Sequence, residues 1–354
     1  MAGRYCYKDV IPFTAMVAIE CTNVGVNVLF KLATQKGLSY YIFVAYSFVV
    51  SILVLLLPLL FFFKWSRELP PLNVSLIFRI FLLGVIGVAA QLCGYKGLEY
   101  TSPTLASSLG NLVPAFTFIL AIIFRMETIN LSCKSSKAKI LGSTVSILGA
   151  LTIVLYKGST IIPSSSTQPP PIIDSSIAST SQSNLVLGGS LLVIEYIFVP
   201  IWYIIQTNVI KEYPAEVIVV FLYNVSGALV SVPICLLLES NLSAWKINPD
   251  ITLISILYSG FFCTGLSSLV HTWGLNVKGP VYISLFKPLS IAIAASFSAI
   301  FLGDALYFGT VVGAVILSIG FYGVIWGKAK EESNEEFEIC RVSALSNSKT
   351  PLLQ

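Results

Sequence analysis

Ten long apolar runs, each bounded by charged or turn-forming residues, limit what this chain of 354 residues can fold into. A helix crosses a bilayer with about 20 apolar residues, so the chain has the length for ten crossings with short loops. Only 11% of its residues are charged, whereas soluble domains have roughly 25%. The runs predict an all-α polytopic membrane protein in a lipid bilayer, and they exclude a soluble globule and a nucleic-acid-binding chain. They lie near residues 11–31, 40–63, 74–95, 103–124, 140–156, 186–207, 216–238, 251–273, 280–302 and 305–326.

The basic residues predict how the chain is oriented. Fifteen of the 21 Lys and Arg residues fall on one side of the predicted crossings and five on the other, while Lys287 lies inside a crossing. Because basic residues are enriched on the cytoplasmic side of membrane proteins, this asymmetry predicts a cytoplasmic N-terminus at residues 1–10. It also predicts a cytoplasmic tail at residues 329–354, whose polar composition is typical of a disordered segment.

The two halves of the chain resemble each other. At an offset of 177 residues, Gly97 recurs as Gly274, Pro103 as Pro280 and Ser107 as Ser284. The repeat predicts two five-helix units, at residues 11–157 and 185–328. A flexible, non-cytoplasmic linker rich in Ser, Thr and Pro joins them at residues 158–184. An odd number of crossings makes the second unit enter the membrane from the opposite side, which is the inverted-repeat plan of secondary transporters.

Several sequence blocks carry a family resemblance. They are GYKGLEYTSPTLASSLGNLVPAFTFILAIIFRMETI from residue 94, VPIWYIIQTNVIKEYPAE from residue 199 and HTWGLNVKGPVYISLFKPLSIAIA from residue 271. In these blocks the chain resembles the plant nodulin-21-like, Walls-Are-Thin-related (UMAMIT) transporters, in the EamA branch of the drug/metabolite transporter superfamily. The resemblance implies a ten-helix fold with two EamA repeats. It also implies transport of amino acids or auxin-like compounds across the plasma or vacuolar membrane.

Polar side chains inside the apolar runs are the candidate substrate-binding residues, because ionisable groups are costly in the bilayer core and rare without a function. Glu20, Asn23 and Asn27 are spaced so that they share one helical face. Glu195 occupies the position that is equivalent to Glu20 in the second half. The full candidate set is Glu20, Asn23, Asn27, Gln91, Ser107, Asn111, Glu195, Trp202, Gln206, Ser268, His271, Ser284 and Lys287.

Each ionisable candidate has alternative interpretations. Glu20 and Glu195 are either protonated or hydrogen-bonded packing residues, or they contact a substrate amine or take part in proton coupling. Lys287 either pairs with an intramembrane or substrate carboxylate, or it reaches the cytoplasmic interface. His271, near the end of its run, has either a satisfied structural role or a role in gating.

Other functional classes lack the residues that they need. His271 is the only histidine, and no Asp lies in the core of a predicted crossing. Neither a metal site nor a catalytic set of nucleophile and base is therefore expected in the membrane. The seven cysteines form no CxxC pair, and no GxxxxGK[ST] loop indicates ATP-driven pumping. The chain is expected not to be an enzyme and to need no cofactor.

The sequence thus predicts a secondary transporter or facilitator of a small polar metabolite, such as an amino acid or an auxin-like compound, that works by alternating access. Its expected partners are the small-molecule substrate, protons, and a second copy of the chain held through small-residue helix faces such as Gly309 and Gly313. Two alternatives stay open. One is transport of a phosphorylated sugar or nucleotide sugar, and the other is a non-transporting membrane receptor or scaffold.

Overall fold

The fold is that of a computed structural model of the chain. It describes residues 10–65, 73–101, 103–110, 112–126, 134–156, 158–162, 175–247, 249–297 and 306–309, together with 311–313, 315–316, 318–320, 322–323, 326–327 and 330. The predicted N-terminal segment before residue 10 and the predicted tail beyond residue 330 lie outside the described residues.

Helices make up nearly all of the described structure, as the sequence predicts. They are α1 (Ile11–Gln35), α2 (Tyr40–Trp65), α3 (Val74–Tyr100), α4 (Pro103–Leu109), α5 (Leu112–Ile123), α6 (Lys134–Leu155), α7 (Ser175–Glu212), α8 (Glu216–Leu238), α9 (Ile251–Tyr258), α10 (Ser267–Ser284) and α11 (Leu289–Phe297). A 3₁₀-helix spans Leu242–Trp245, and a π-helix spans Ser259–Leu266 between α9 and α10. The described residues between 311 and 330 are also helical.

Seven helices within the described residues are long and apolar enough to cross a membrane. They are Ile11–Gln35, Tyr40–Phe61, Val74–Tyr100, Leu105–Ile123, Val186–Glu212, Glu216–Leu238 and Ile251–Ser284. The class of the fold is therefore confirmed, and ten crossings in two inverted repeats stay a prediction. The helix of the eighth predicted run extends past residue 273 as far as a kink at Gly279, and a second short helix follows to Ser284, so the break lies directly before the predicted start of the ninth run at residue 280. The backbone departs from helical geometry there only at Gly279, whose φ of 81° is a conformation that glycine adopts readily.

The fourth and ninth apolar runs are each interrupted. The fourth is divided at Gly110, between α4 and α5, and the ninth at residues 285–288, between α10 and α11. Pro114 follows the first break, and Pro288 is the last residue of the second. Each proline lacks the N–H that would bond to the carbonyl four residues earlier. Those carbonyls, of Gly110 and Ser284, accept instead from the N–H three residues on, at 3.0 and 3.2 Å. The two prolines thus tighten the backbone where the helices break.

The segment predicted as a flexible linker is partly ordered. Helix α7 begins at Ser175, ten residues before the predicted second unit, because no Pro or Gly interrupts residues 175–184. Near the start of the segment, strand β1 (Thr160–Ile162) pairs antiparallel with strand β2 (Leu306–Tyr307). The β-branched residues of β1 favour this extended pairing. The described ends of the segment are thus a strand at Thr160–Ile162 and a helix from Ser175, and a flexible linker over residues 158–184 stays a prediction.

Small and polar residues join α2 to α8, one helix from each half of the chain. A Cβ added at Gly227 of α8 would overlap the ring of Phe48 of α2. Nearby, the Ser51 hydroxyl donates to the Asn224 side-chain oxygen at 2.9 Å, and both residues are buried. Close backbone approach and interhelical hydrogen bonds of this kind hold membrane helices together. The two halves are therefore interlocked by direct contacts.

Gly320, near the C-terminal end, packs against another helix of the same chain. A Cβ at Gly320 would overlap the backbone of α6 at Ser146 and Gly142. This face therefore packs against α6 of the same molecule. A homodimer through Gly309 and Gly313 stays a prediction.

Lys31 of α1 binds the C-terminal end of α3. Its Nζ atom donates to the carbonyl oxygens of Leu98, Glu99 and Thr101 at 3.1, 2.8 and 2.6 Å. The last carbonyls of a helix have no partner within the helix, and a cation there also complements the helix dipole. This set of bonds ties α1 to α3 at one end of the molecule.

We expect Lys31→Met to lower the free energy of unfolding by about 1–3 kcal/mol, because three carbonyls lose the Lys31 ammonium at once and only that of Leu98 keeps a second donor, the Thr101 N–H, among the described residues. Lys36→Met is the matched control, since Lys36 lies just beyond α1 with an exposed side chain. Thermal unfolding of the detergent-solubilised protein measures the difference. Equal melting temperatures for the two variants would show that the Lys31 bonds contribute nothing.

Candidate functional site

A cavity of about 220 Å³ lies among α1, α3, α4, α7, α8, α10 and the π-helix. It is smaller than the roughly 300–1,000 Å³ of sites for drug-sized ligands, so its size suits a small metabolite. Ten of the candidate residues from the sequence line it, namely Glu20, Asn23, Asn27, Gln91, Ser107, Glu195, Trp202, Ser268, His271 and Lys287. The structure therefore brings together polar faces from both halves of the chain.

Glu20 and Lys287 form an ion pair at this cavity. The Lys287 Nζ atom lies 3.1 Å from Oε1 and 3.4 Å from Oε2 of Glu20. Glu20 is 1% exposed, and the Lys287 side chain is 18% exposed. Lys287 stands in the turn at residues 285–288, so the break in the ninth run is what lets its side chain meet α1. Of the alternatives for Lys287, the structure shows pairing with an intramembrane carboxylate, Glu20.

Glu195 of α7 packs against α3 at Gly94. A Cβ added at Gly94 would overlap the carboxyl carbon and both oxygens of Glu195, so only glycine leaves room for this carboxylate. Among the described residues, no hydrogen bond or ion pair engages the Glu195 carboxylate. The two carboxylates at equivalent repeat positions thus differ, because Glu20 has a cation beside it and Glu195 has none in contact.

Besides Glu20 Oε1, which has the Lys287 ammonium 3.1 Å away, four polar atoms of cavity residues have no hydrogen-bond partner in the part of the chain that the structure describes. They are Asn23 Oδ1, Gln91 Oε1, Trp202 Nε1 and His271 Nε2, and all four are buried. Buried polar atoms in proteins are nearly always hydrogen-bonded. A set of unpartnered atoms around one cavity therefore indicates that a ligand or water supplies the partners.

One nitrogen of His271 is bonded and the other is not. Its Nδ1 atom lies 2.7 Å from the Ser267 carbonyl oxygen and 3.0 Å from the Ser267 hydroxyl. A carbonyl oxygen only accepts, so Nδ1 is the donor, and Nε2 of the neutral ring is left as an acceptor. The ring stacks on Tyr203 with centroids 5.9 Å apart. His271 is therefore held in place structurally, with its free nitrogen available to a ligand.

The remaining three candidates are not seen at the cavity. Gln206 is buried, and its Nε2 atom donates to Thr272 at 2.8 Å, which joins α7 to α10. Gln206 shares a helical face with Glu195 but lies 11 residues further on, roughly 16 Å along the helix. The buried Ser284 hydroxyl donates to the Val281 carbonyl at 2.8 Å. Asn111 lies outside the described residues.

Aromatic residues that the sequence interpretation missed line much of the cavity. They are Tyr95, Tyr196, Phe198, Tyr203 and Tyr223. The Tyr196 hydroxyl donates to the Ala106 carbonyl at 2.7 Å, and the Tyr223 ring lies 5.6 Å from that of Trp202. A tyrosine inside an apolar run carries a hydroxyl that needs a partner when buried, which is a signal that could have marked these positions.

The side chains of the cavity suit polar binding. Within the described ranges, no group of three or more His, Cys, Asp or Glu residues could hold a metal ion. Cys263 lines the cavity, and its sulfur lies 4.0 Å from the Tyr95 hydroxyl. The arrangement can therefore pair with charges and form hydrogen bonds, and it places aromatic rings beside them.

Comparison with solved structures supports the fold. A crystal structure of a protein with 11% sequence identity matches 87% of this chain and 98% of its own, with a TM-score of 0.58. At this identity the likeness is one of fold alone.

Comparison of sequences gives the family. A model of the EamA-like transporter family matches twice, at residues 15–155 and 186–326. The WAT1-related protein At5g40240 of Arabidopsis thaliana is 53% identical over 335 residues, covering 94% of this chain and 91% of that protein. The WAT1-related protein At4g15540 of the same plant is 52% identical over 335 residues, covering 95% and 93%. The chain therefore belongs to the EamA-like transporter family and is a WAT1-related membrane transporter.

Proposed function

We propose that this protein is a secondary transporter or facilitator of a small metabolite with an ammonium or carboxylate group, such as an amino acid or an auxin-like acid. It would act in the plasma or vacuolar membrane. The observation that carries the proposal is one small cavity lined by Glu20, Lys287 and Glu195. Charged side chains in the bilayer core usually mark a substrate or ion pathway, and the family is one of transporters.

Each charge of the cavity would meet a group of such a substrate. A substrate carboxylate would bind the Lys287 ammonium and replace Glu20 as its ion-pair partner. A substrate ammonium would bind Glu195, the carboxylate with no cation in contact. The unpartnered amide oxygens of Asn23 and Gln91 would accept from the remaining N–H groups. Substrate binding would thus satisfy groups that the protein alone does not.

A phosphorylated sugar or nucleotide sugar is a poorer match. Several negative charges would meet two carboxylates, Glu20 and Glu195, and the one Lys among the described residues that line the cavity. Phosphate sites in proteins are rich in Lys and Arg. The neighbouring aromatic rings, such as Trp202 and Tyr223, favour a cargo with an apolar part.

Alternating access would come from two inverted units at residues 11–157 and 185–328, with ten crossings in all. The positions of the helix breaks support this plan. Gly110 in the fourth run and Lys287 in the ninth run are 177 residues apart, which is the offset of the sequence repeat. Interrupted helices at matching positions of the two repeats are typical of transporter binding sites.

Contacts between helix ends agree with both termini lying in the cytoplasm. Arg79 and Glu212, both expected on the cytoplasmic side, form an ion pair at 2.8 Å. Asn276 and Glu216, expected on the same side, are hydrogen-bonded at 2.8 Å. Strand β1 lies in the segment after the fifth run, and its partner β2 lies at the start of the tenth run; both places are expected on the opposite side.

A radiotracer panel on the protein in liposomes tests the proposed function. We expect saturable uptake of at least one amino acid or auxin-like acid, which the unlabelled compound competes. Glu195→Gln should reduce this uptake at least tenfold, because the substrate loses an ionic contact in the membrane interior. Glu239→Gln, which changes a carboxylate at the end of α8 and outside the cavity, should leave it unchanged. Binding without flux would identify a receptor, and neither binding nor flux across the panel would exclude this substrate class.

A further inference from the structure

The cavity does not balance its own charge. Among the described residues that line it, the carboxylates are Glu20 and Glu195, and the only Lys or Arg is Lys287. Glu20 and Lys287 lie 3.1 Å apart and form a neutral pair. Glu195 is therefore the one carboxylate with no matching cation in contact.

His271 does not supply that cation in the observed arrangement. Its Nδ1 atom already donates to the Ser267 carbonyl, so a second proton would have to sit on Nε2. Nε2 is buried and has no partner among the described residues. An imidazolium there would add an unpaired donor and a second positive charge near Lys287, and both are costly in the membrane interior. The neutral ring fits the geometry better.

An ionised Glu195 would leave the empty cavity with one net negative charge. Glu195 is half-buried at the cavity wall, and an uncompensated charge in the membrane interior is costly, so a carboxyl group there avoids the cost by binding a proton. A transporter that returns without substrate passes through an occluded state with an empty cavity. The net negative charge of the empty cavity would therefore destabilise that state in every cycle. A bound cation or a proton would remove that charge.

We propose that Glu195 is a proton-binding site that keeps the cavity neutral, holding one proton when the cavity is empty and releasing it to water when a substrate ammonium binds. This inference rests on the proposed transport function. The step balances: the carboxyl O–H bond breaks, the proton passes to water, and the carboxylate forms an ion pair with the incoming ammonium. The coupling ion and the substrate cation then compete for one carboxylate.

The groups that face Glu195 come from several elements. Cys93 lies near Glu195 on α3, and those that line the cavity with it are Glu20 on α1, Tyr95 on α3, Tyr196 and Tyr203 on α7, Tyr223 on α8, Cys263 on the π-helix, His271 on α10 and Lys287 before α11. The thiols and phenols are neutral at neutral pH by their ordinary chemistry. Glu20 is held by Lys287, so Glu195 is the group of this set that is free to take the proton.

Charge neutrality gives a rule for proton coupling. A cation on Glu195 releases one proton. A zwitterion that binds Lys287 through its carboxylate frees Glu20, which then takes the proton that Glu195 gives up, so no proton is released to water. An anion bound to Lys287 leaves both Glu20 and Glu195 protonated, and one proton is taken up. The number of protons released therefore equals the net charge of the substrate.

Infrared difference spectroscopy of the ligand-free protein in nanodiscs tests the proton site without any substrate. At neutral pH we expect one carboxylic acid C=O band that is lost in Glu195→Gln and kept in Glu195→Asp and in Glu20→Gln/Lys287→Met. The single variant Glu20→Gln should also lose the band, because Glu195 must then ionise to balance Lys287. The Glu195→Asp variant shows that the fold tolerates changes at this position. Absence of the band in the wild-type protein, or its persistence in Glu195→Gln, would overturn the inference.

Proton release on binding tests the coupling rule separately. Three probes share one indole ring and differ in charge, namely tryptamine, L-tryptophan and indole-3-acetate. In a weakly buffered solution with a pH dye, we expect one proton released, none, and one taken up, respectively. Equal proton counts for all bound probes would overturn the rule. If no probe binds while the acid band of Glu195 is present, the chosen substrate class fails and the proton site stands.

Discussion

Lys287→Met should destabilise the protein by about 3–5 kcal/mol and abolish transport, because it leaves a buried carboxylate without its cation. Glu20 is 1% exposed and lies 3.1 Å from the Lys287 ammonium. Once the ammonium is gone, Glu20 must either keep an uncompensated charge or take up a proton. Thermal unfolding in detergent and flux in liposomes measure the two effects.

The double variant Glu20→Gln/Lys287→Met separates structure from function. Removing both charges leaves no uncompensated ion, so much of the lost stability should return. Transport should stay abolished, because no ammonium is left to bind a substrate carboxylate. Lys211→Met, which changes an exposed lysine at the end of α7, is the control for loss of a positive charge. Transport by the double variant at the wild-type rate would mean that the pair is structural only.

Gly94→Ala should reduce the transport rate at least tenfold while the protein stays folded. The added methyl group would overlap the Glu195 carboxylate, so the side chain must turn away from its place in the cavity. A tenfold loss of rate corresponds to about 1.4 kcal/mol in the activation free energy of transport, which is a small cost for displacing a carboxyl group that contacts the substrate. Flux in liposomes gives the rate, and size-exclusion chromatography reports the folded state.

Gly189→Ala is the matched control for this change. Gly189 is also a glycine within a helix, in α7, and a Cβ there meets no heavy atom within 4 Å. Alanine has the higher helix propensity, so this variant should be as stable as the wild type and should transport at the same rate. Equal rates for Gly94→Ala and Gly189→Ala would contradict the placement of Glu195 in the substrate path.

Helical spacing was enough to predict which polar residues share a face. Glu20, Asn23 and Asn27 follow one another at intervals of three and four residues, and all three line the cavity. Spacing did not predict how far along a helix the cavity extends. Gln206 shares a face with Glu195 but lies beyond the cavity, because a helical face runs the whole length of its helix.

The partner of Lys287 depended on backbone geometry that spacing does not contain. Its contact with Glu20 arises from the turn at residues 285–288 and the bend at Gly279. These are set by glycine and proline chemistry together with packing between distant segments. The importance of Gly94 also depends on packing between distant segments. Its lack of a side chain matters only because Glu195 of another helix contacts it.

Element boundaries were the weakest part of the sequence prediction. Composition marked residues 158–184 as a linker, yet strand pairing at Thr160–Ile162 and the start of α7 at Ser175 order both of its ends. The β pairing depends on Leu306–Tyr307, which is more than 140 residues away in sequence. A long-range contact of this kind leaves little trace in local composition.

Counterflow in liposomes tests most directly whether this cavity carries a substrate across the membrane. Liposomes are loaded with an unlabelled substrate from the panel, and entry of the labelled compound is followed against its own gradient. We expect transient accumulation with the wild-type protein and with Gly189→Ala, and none with Gly94→Ala or Glu20→Gln/Lys287→Met. Full accumulation by the last two variants would contradict a transport path through this cavity.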